Sequence, residues 1–199
     1  MRTKHALAFC GIIALSACGG EATTKKLLVL GRGEIKVTGN DITMNDKSGY
    51  AEKLVDVVGD KAVSYNVNTP GGKTTVNVPE EAGFFILNLK TDTLVGSQQN
   101  IGNDLSGRTV TQEELKVRID SLVKLTSGAN VSAGNHNYIV FPNELKKVSS
   151  NAEAKVFGPF TKIPGTLEAD KDGKAPEIYK FYTNTEMREL IDKLKKMTF

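Results

Sequence analysis

Gly72-Lys73-Thr74 ends in the manner of a phosphate-binding loop, where backbone N–H groups cradle phosphate and the lysine reaches it. That chemistry also needs a glycine five residues before Gly72 and a helix after it. Position 67 is Val, and Thr74-Thr75-Val76-Asn77-Val78 alternates as a strand, so a hairpin turn is the expected role. Ser121-Leu122-Val123-Lys124 matches the Ser-x-x-Lys of penicillin-binding enzymes, whose serine stands at a helix start with Ser-Asp-Asn and Lys-Thr-Gly partners elsewhere. Here Ser121 lies deep in a helical pattern and neither partner occurs, which leaves a solvated helix face.

Glu168, Asp170 and Asp172, followed by Gly173, place carboxylates two apart before a turn glycine, like the front of a calcium loop. The closing acidic ligand would fall on Tyr179, which cannot supply it. A polar Asp-Gly turn is expected, with a weak Ca²⁺ site on Glu168, Asp170 and Asp172 as the alternative. His136 is the only histidine besides His5. One imidazole without cysteine cannot build the usual N/S transition-metal site. With no Gly-x-Ser-x-Gly elbow to partner it, His136 reads as a polar loop residue within Gly134-Asn135-His136-Asn137. Glu80-Glu81 and Glu113-Glu114 are adjacent pairs whose side chains do not face each other, so neither resembles a glycosidase acid and base. Val156 to Phe160 and Ile178 to Tyr182 concentrate aromatics. Exposed, they would bind a glycan or a partner protein; buried, they are core. The chain has no tryptophan, the usual sugar-stacking platform, and core is the expected role.

The elements that must position these residues are mostly strands in the first half. Leu27 to Leu30 is a short apolar run, broken by Gly31-Arg32-Gly33, and Ile35 and Val37 then alternate. Val63, Tyr65 and Val67 alternate with polar residues, Thr69-Pro70-Gly71-Gly72 is turn chemistry, and Thr74, Val76 and Val78 alternate again: a hairpin. Phe84 to Leu89 and Leu94-Val95 flank Thr91-Asp92-Thr93, a second expected hairpin. Gly102 to Gly107 reads as a linker.

Thr111 with Glu114 three residues on is a capping box, followed by Leu115, Ile119, Leu122 and Val123 on one helix face and Gly128 as a stop. Tyr138 to Phe141, Lys155 to Phe157 and Ile178 to Tyr182 are further strand candidates. Thr183 with Glu186 opens a last helix with a stripe of Met187, Leu190, Ile191, Leu194 and Met197. The expected fold is α+β: antiparallel and β-rich, with sandwich-like hairpins and two amphipathic helices, the second at the C-terminus.

The N-terminus carries a different kind of signal. Arg2, Lys4 and His5 form a basic head, Ala6 to Ala14 is apolar apart from Gly11, and Leu15-Ser16-Ala17 leads to Cys18. This order of basic, apolar and small residues is that of a secretory signal, and the run is too short to cross the roughly 30 Å of a bilayer's hydrocarbon core. Leu15-Ser16-Ala17-Cys18 resembles the lipobox of bacterial lipoprotein precursors. The resemblance implies that residues 1–17 are removed and that Cys18 becomes a lipidated N-terminus anchored in the membrane. Gly19, where many retained lipoproteins carry Asp, implies passage to the outer membrane. Residues 18–26 then read as a lipidated tether and 27–199 as the globular body, either one unit or a β-rich part (27–105) and an α/β part (108–199).

Composition agrees with an exported, tethered body. The formal charge is +3 for the whole chain and near neutral once Arg2 and Lys4 leave, which excludes the basic face that nucleic acid wants. The two cysteines are Cys10, lost with the signal, and Cys18, so the body has no thiol for a disulfide, metal or nucleophile. No cofactor is expected. The function expected is a non-catalytic binding or structural role in the cell envelope, with an envelope protein or polymer as partner. The alternatives are a lipid-anchored envelope hydrolase and a Ca²⁺- or small-ligand-binding lipoprotein. A concave pocket with converging ionisable groups around His136 or the acidic segment would favour the hydrolase.

Overall fold

The computed structural model describes residues 24–99, 110–167, 173 and 175–198. Its core is an apolar strand pair buried on both faces. β1 (Lys25–Thr38) and β5 (Gly83–Asn88) run parallel, with Leu27 opposite Phe85 and Val29 opposite Leu87. Leu27, Val29, Phe85 and Leu87 feed one core; Leu28, Leu30, Phe84 and Ile86 feed another on the opposite side. Two buried faces explain why both strands read as unbroken apolar runs rather than alternating ones.

Around this pair the six-stranded sheet has the order β4-β3-β2-β1-β5-β8. Its other members are β2 (Asp41–Val57), β3 (Val63–Thr69), β4 (Gly72–Val78) and β8 (Leu145–Ser149). β3 and β4 form the expected hairpin, with Thr69 opposite Gly72 across Pro70-Gly71. β1 is continuous through Gly31-Arg32-Gly33 rather than broken there. A single residue, Gly33, faces residues 46–49 of β2, because Arg32 pairs with Tyr50 and Glu34 with Asn45. Gly33 has φ +69°, and a Cβ there would lie 2.0 Å from the Asn45 carbonyl oxygen, so the irregularity admits only glycine.

The sheet also curls. β4 and β5 are separated by three strands, yet residues 79–82 alone connect them. Lys25, buried at the start of β1, donates to the carbonyls of Lys61 (2.5 Å) and Pro79 (3.3 Å) at the open end of the β3–β4 hairpin. The enclosed core joins Val67, Val76 and Val78 to Leu27 and Phe85.

The second sheet has the order β7-β6-β10-β9, from β6 (Leu94–Gln98), β7 (Asn137–Val140), β9 (Lys155–Phe157) and β10 (Ile178–Thr183). Its inner face supplies Leu94, Tyr138, Val140, Tyr179 and Phe181 to the core against β1 and β5. Its outer face, through Val95 and Ile139, is covered by α1 (Gln112–Thr126) and α2 (Asn184–Lys196). The α+β, β-rich architecture with a C-terminal helix is thus present. Strands from both halves of the chain share both sheets.

Both capping boxes form: Thr111 Oγ1 accepts from Glu114 N at 3.2 Å and Thr183 Oγ1 from Glu186 N at 3.1 Å. Along α1, Ile119 and Leu125 are buried, whereas Val123 is exposed. Along α2, Met187 and Ile191 are buried and Met197 is exposed, beyond the last turn that packs.

β5 and β6 do not form a hairpin. They belong to different sheets, and the chain crosses between them at a corner built on Asn88. This fully buried amide donates to Asp92 O (2.9 Å) and Val140 O (3.1 Å) and accepts from Lys90 N (3.1 Å). The strand start at Lys25 also shortens the expected tether, since Lys25 and Lys26 lie in β1. The expected linker at 102–107 lies outside the described residues.

Candidate functional site

His136 stands at the rim of a cavity of about 480 Å³ between the edges of the two sheets. It is exposed, in the left-handed region with φ 51°, at the end of a turn where its N–H donates to Ala133 O at 3.1 Å. Histidine tolerates this conformation better than most side chains. Its carbonyl accepts from Gln98 N at 3.0 Å, which ties the turn to the end of β6.

Three side chains converge on the same cavity. Tyr179 projects from β10 and its hydroxyl lies 3.3 Å from His136 Nδ1. The same hydroxyl donates to Glu177 Oε1 in a short hydrogen bond. Ser149, at the end of β8, donates to Glu177 Oε2 at 2.8 Å and accepts from Asn151 N at 2.9 Å. Tyr138 packs edge-on against Tyr179 at 5.9 Å between ring centres and donates to Val148 O at 2.7 Å. Burial, and then the hydrogen bond and negative charge of Glu177, push the Tyr179 hydroxyl well above the ordinary tyrosine range. Lys147 at the rim is paired with Glu81 at 2.8 Å.

Tyr179 donates its hydroxyl hydrogen to Glu177, which leaves the phenol oxygen with acceptor capacity toward His136 Nδ1. Both Glu177 oxygens take a hydroxyl, so this carboxylate is the base in contact with each, and ionisable groups do converge on the cavity at His136. The cluster is suited to hold a polar ligand against donors and acceptors already in place.

The remaining sequence candidates are scattered. Lys73 lies at the start of β4, beside a shallow groove of about 330 Å³ with Asp41, Asn66 and Asn68, and no helix follows it. Ser121 and Lys124 are exposed inside α1. Glu114 caps its own helix and Glu81 pairs with Lys147. Cys18, Glu168, Asp170 and Asp172 lie outside the described residues; Gly173 has φ +74°, as a turn glycine does. Among the described residues no three His, Cys, Asp or Glu side chains gather as metal ligands, and no helix is long and apolar enough to cross a membrane.

Sequence reading singled out His136 but not its partners, which lie 13 to 43 residues further along the chain. Ile178 to Tyr182 was expected to be core. Tyr179 and Phe181 are core, yet the Tyr179 hydroxyl reaches the cavity. No protein-family model, curated protein or solved structure matches the chain.

Proposed function

We propose that this protein is a lipid-anchored binding module of the bacterial cell envelope, tethered at Cys18 and recognising an envelope protein or polymer through the cleft at His136, without chemistry on its ligand. Support for the anchor comes from the lipobox-like Leu15-Ser16-Ala17-Cys18, and Gly19 favours the outer membrane. The observation that carries the binding role is the closure of the Ser149–Glu177–Tyr179 cluster on itself, with both carboxylate oxygens already engaged. The convergence of ionisable groups on the cavity at His136 supports the envelope hydrolase as the second reading.

Two measurements test the reading. Full-length chain expressed in a bacterial host should incorporate labelled fatty acid, and Cys18→Ala should abolish the label; label that persists refutes the anchor. Purified protein should co-sediment with isolated envelope fragments without releasing soluble material from them, and His136→Ala should weaken the co-sedimentation. Release of soluble fragments by the wild type but not by the variant would establish the hydrolase instead, with His136 as its base.

A further inference from the structure

A second site lies beyond the cleft, on the flank where β2 meets the loop after β9. Lys90, only 4% exposed, has no hydrogen-bond partner for its ammonium among the described residues, and Glu52 Oε1 nearby is buried and equally unpaired. Buried charges of this kind cost stability unless something uses them. Over them lie the rings of Tyr50 and Phe160, stacked with centroids 3.4 Å apart and planes 15° apart. Both rings are open to solvent, at 59% and 40% exposure. Lys90 Nζ is 4.4 Å from one centroid and 4.1 Å from the other. With the centroids so close, a point at those distances lies beside the stack, near the ring edges. The ring quadrupole offers a cation little there.

We propose that Tyr50 and Phe160 form a clamp for a neutral sugar ring of an oligosaccharide, with Lys90 and Glu52 as its polar partners. The stack is closed at 3.4 Å, so a pyranose would have to part the two rings, and it would then turn its faces to them and its edge to Lys90 Nζ. Vicinal hydroxyls at that edge both accept and donate, which meets the free N–H groups of Lys90 and the free oxygen of Glu52 together. Three carboxylates, Glu52, Asp92 and Glu186, act electrostatically on Lys90 against one cation, Arg32, so the surroundings favour a neutral ligand over a phosphate or a nucleotide. Burial also pushes the Lys90 ammonium below the ordinary lysine range. That outcome fits a donor held ready without a partner of its own.

The two jaws differ in stiffness. Phe160 rides on a loop whose carbonyls at Gly158, Pro159 and Thr161 all accept from the buried Lys180 Nζ, at 2.5, 3.2 and 2.8 Å. Thr161 Oγ1 adds a bond of 2.5 Å to Glu52 Oε2. At Gly158 a Cβ would come within 2.2 Å of Glu52 Oε1, so the loop can lie this close to β2 only with glycine. Tyr50, by contrast, is paired with Arg32 at the edge of the irregular stretch 46–49 of β2, where Gly49 has φ +110°. Opening of the clamp would therefore fall to the Tyr50 side chain rather than to Phe160.

The test is calorimetric titration of the full-length chain, in a detergent without a sugar headgroup, with chitotetraose, maltohexaose and a β-1,3-glucan hexamer. At least one should bind. Tyr50→Leu and Phe160→Leu, which keep apolar bulk and remove the ring, should each weaken it about tenfold. Lys90→Met should abolish binding and at the same time raise the melting temperature, because the methionine carries no buried charge. A lysine with a merely structural role would lower it. The proposal is overturned if no probe binds, if the double Tyr50→Leu, Phe160→Leu variant binds unchanged, if Lys90→Met melts below wild type, or if adenosine or riboflavin binds in place of the sugars. None of these outcomes depends on Cys18 or His136, so the two proposals stand or fall separately.

Discussion

Ser149 and Glu177 join the two sheets. The serine ends β8 of the six-stranded sheet and the glutamate leads into β10 of the four-stranded one, and their hydrogen bond of 2.8 Å spans the gap at the mouth of the cavity. Glu177→Ala would strip partners from two hydroxyls at once, those of Ser149 and Tyr179. Stability should fall by about 1–3 kcal/mol, the range for unpaired polar groups. Urea unfolding measures this, and a change under about 0.5 kcal/mol would mean that the carboxylate does not tie the layers.

Asn88 holds the crossing between the same sheets from inside. Its amide serves Asp92 O, Val140 O and Lys90 N while fully buried. Asn88→Ala should cost on the order of 3 kcal/mol, and Asn88→Asp also several, because a carboxylate cannot donate to the two carbonyls. A variant with wild-type denaturant midpoint would refute the role of this corner.

The two capping boxes should not be equal. Thr183 is buried beneath α2, whereas Thr111 is exposed at the start of α1. Thr183→Ala should cost about 1–2 kcal/mol and Thr111→Ala about 1 kcal/mol or less. Matched chemical denaturation of the two variants decides it, and equal losses would contradict the burial argument.

Alkaline titration should show two opposed effects. Burial lowers the pKa of Lys90 and of Lys180, so the folded state holds fewer protons than the unfolded chain, and stability rises with pH until the unfolded lysines have titrated near 10.4. Burial first, and then Glu177, raises Tyr179; burial also raises Tyr65, Tyr138 and Tyr182. Their neutral forms stabilise the fold below about pH 10, and this stabilisation is lost as the unfolded tyrosines ionise above it. Denaturation midpoints measured from pH 7 to 11.5 should climb and then fall, and Tyr179→Phe should flatten the fall. A monotonic curve through this window would be inconsistent with buried lysines of depressed pKa.

What was legible in the sequence followed from local physics. β1 and β5 were readable because two buried faces leave no polar alternation, and α1 and α2 because each capping box is complete within four residues. β2 was not readable: of its seventeen residues only Ile42, Met44 and Val57 are buried apolar ones, and Tyr50 and Leu54 face solvent. The β5–β6 turn looked like a hairpin because Thr91-Asp92-Thr93 carries turn chemistry, while the corner depends on contacts of Asn88 that include Val140, fifty-two residues away. The same holds at the sites. His136 stood out as a residue type, but Tyr179, Glu177 and Ser149 reach it only through the pairing of distant strands. The reading of Val156 to Phe160 as core failed at Phe160, whose exposure depends on where the Lys180 ammonium gathers its loop.

The position of β1 has a mechanical consequence. Its first residue, Lys25, is paired at once with Val57 of β2 and Gly83 of β5, and the strand stays flanked on both sides as far as Leu30. A pull transmitted through the residues before Lys25 therefore runs along a central strand and loads both ladders in shear, with the Lys25 ammonium locked to two carbonyls at the point of loading. Hydrogen bonds strained together in this way share the force, whereas those at a free edge would open one after another. Under tension from its N-terminal side this body should resist up to a threshold and then yield in a single step.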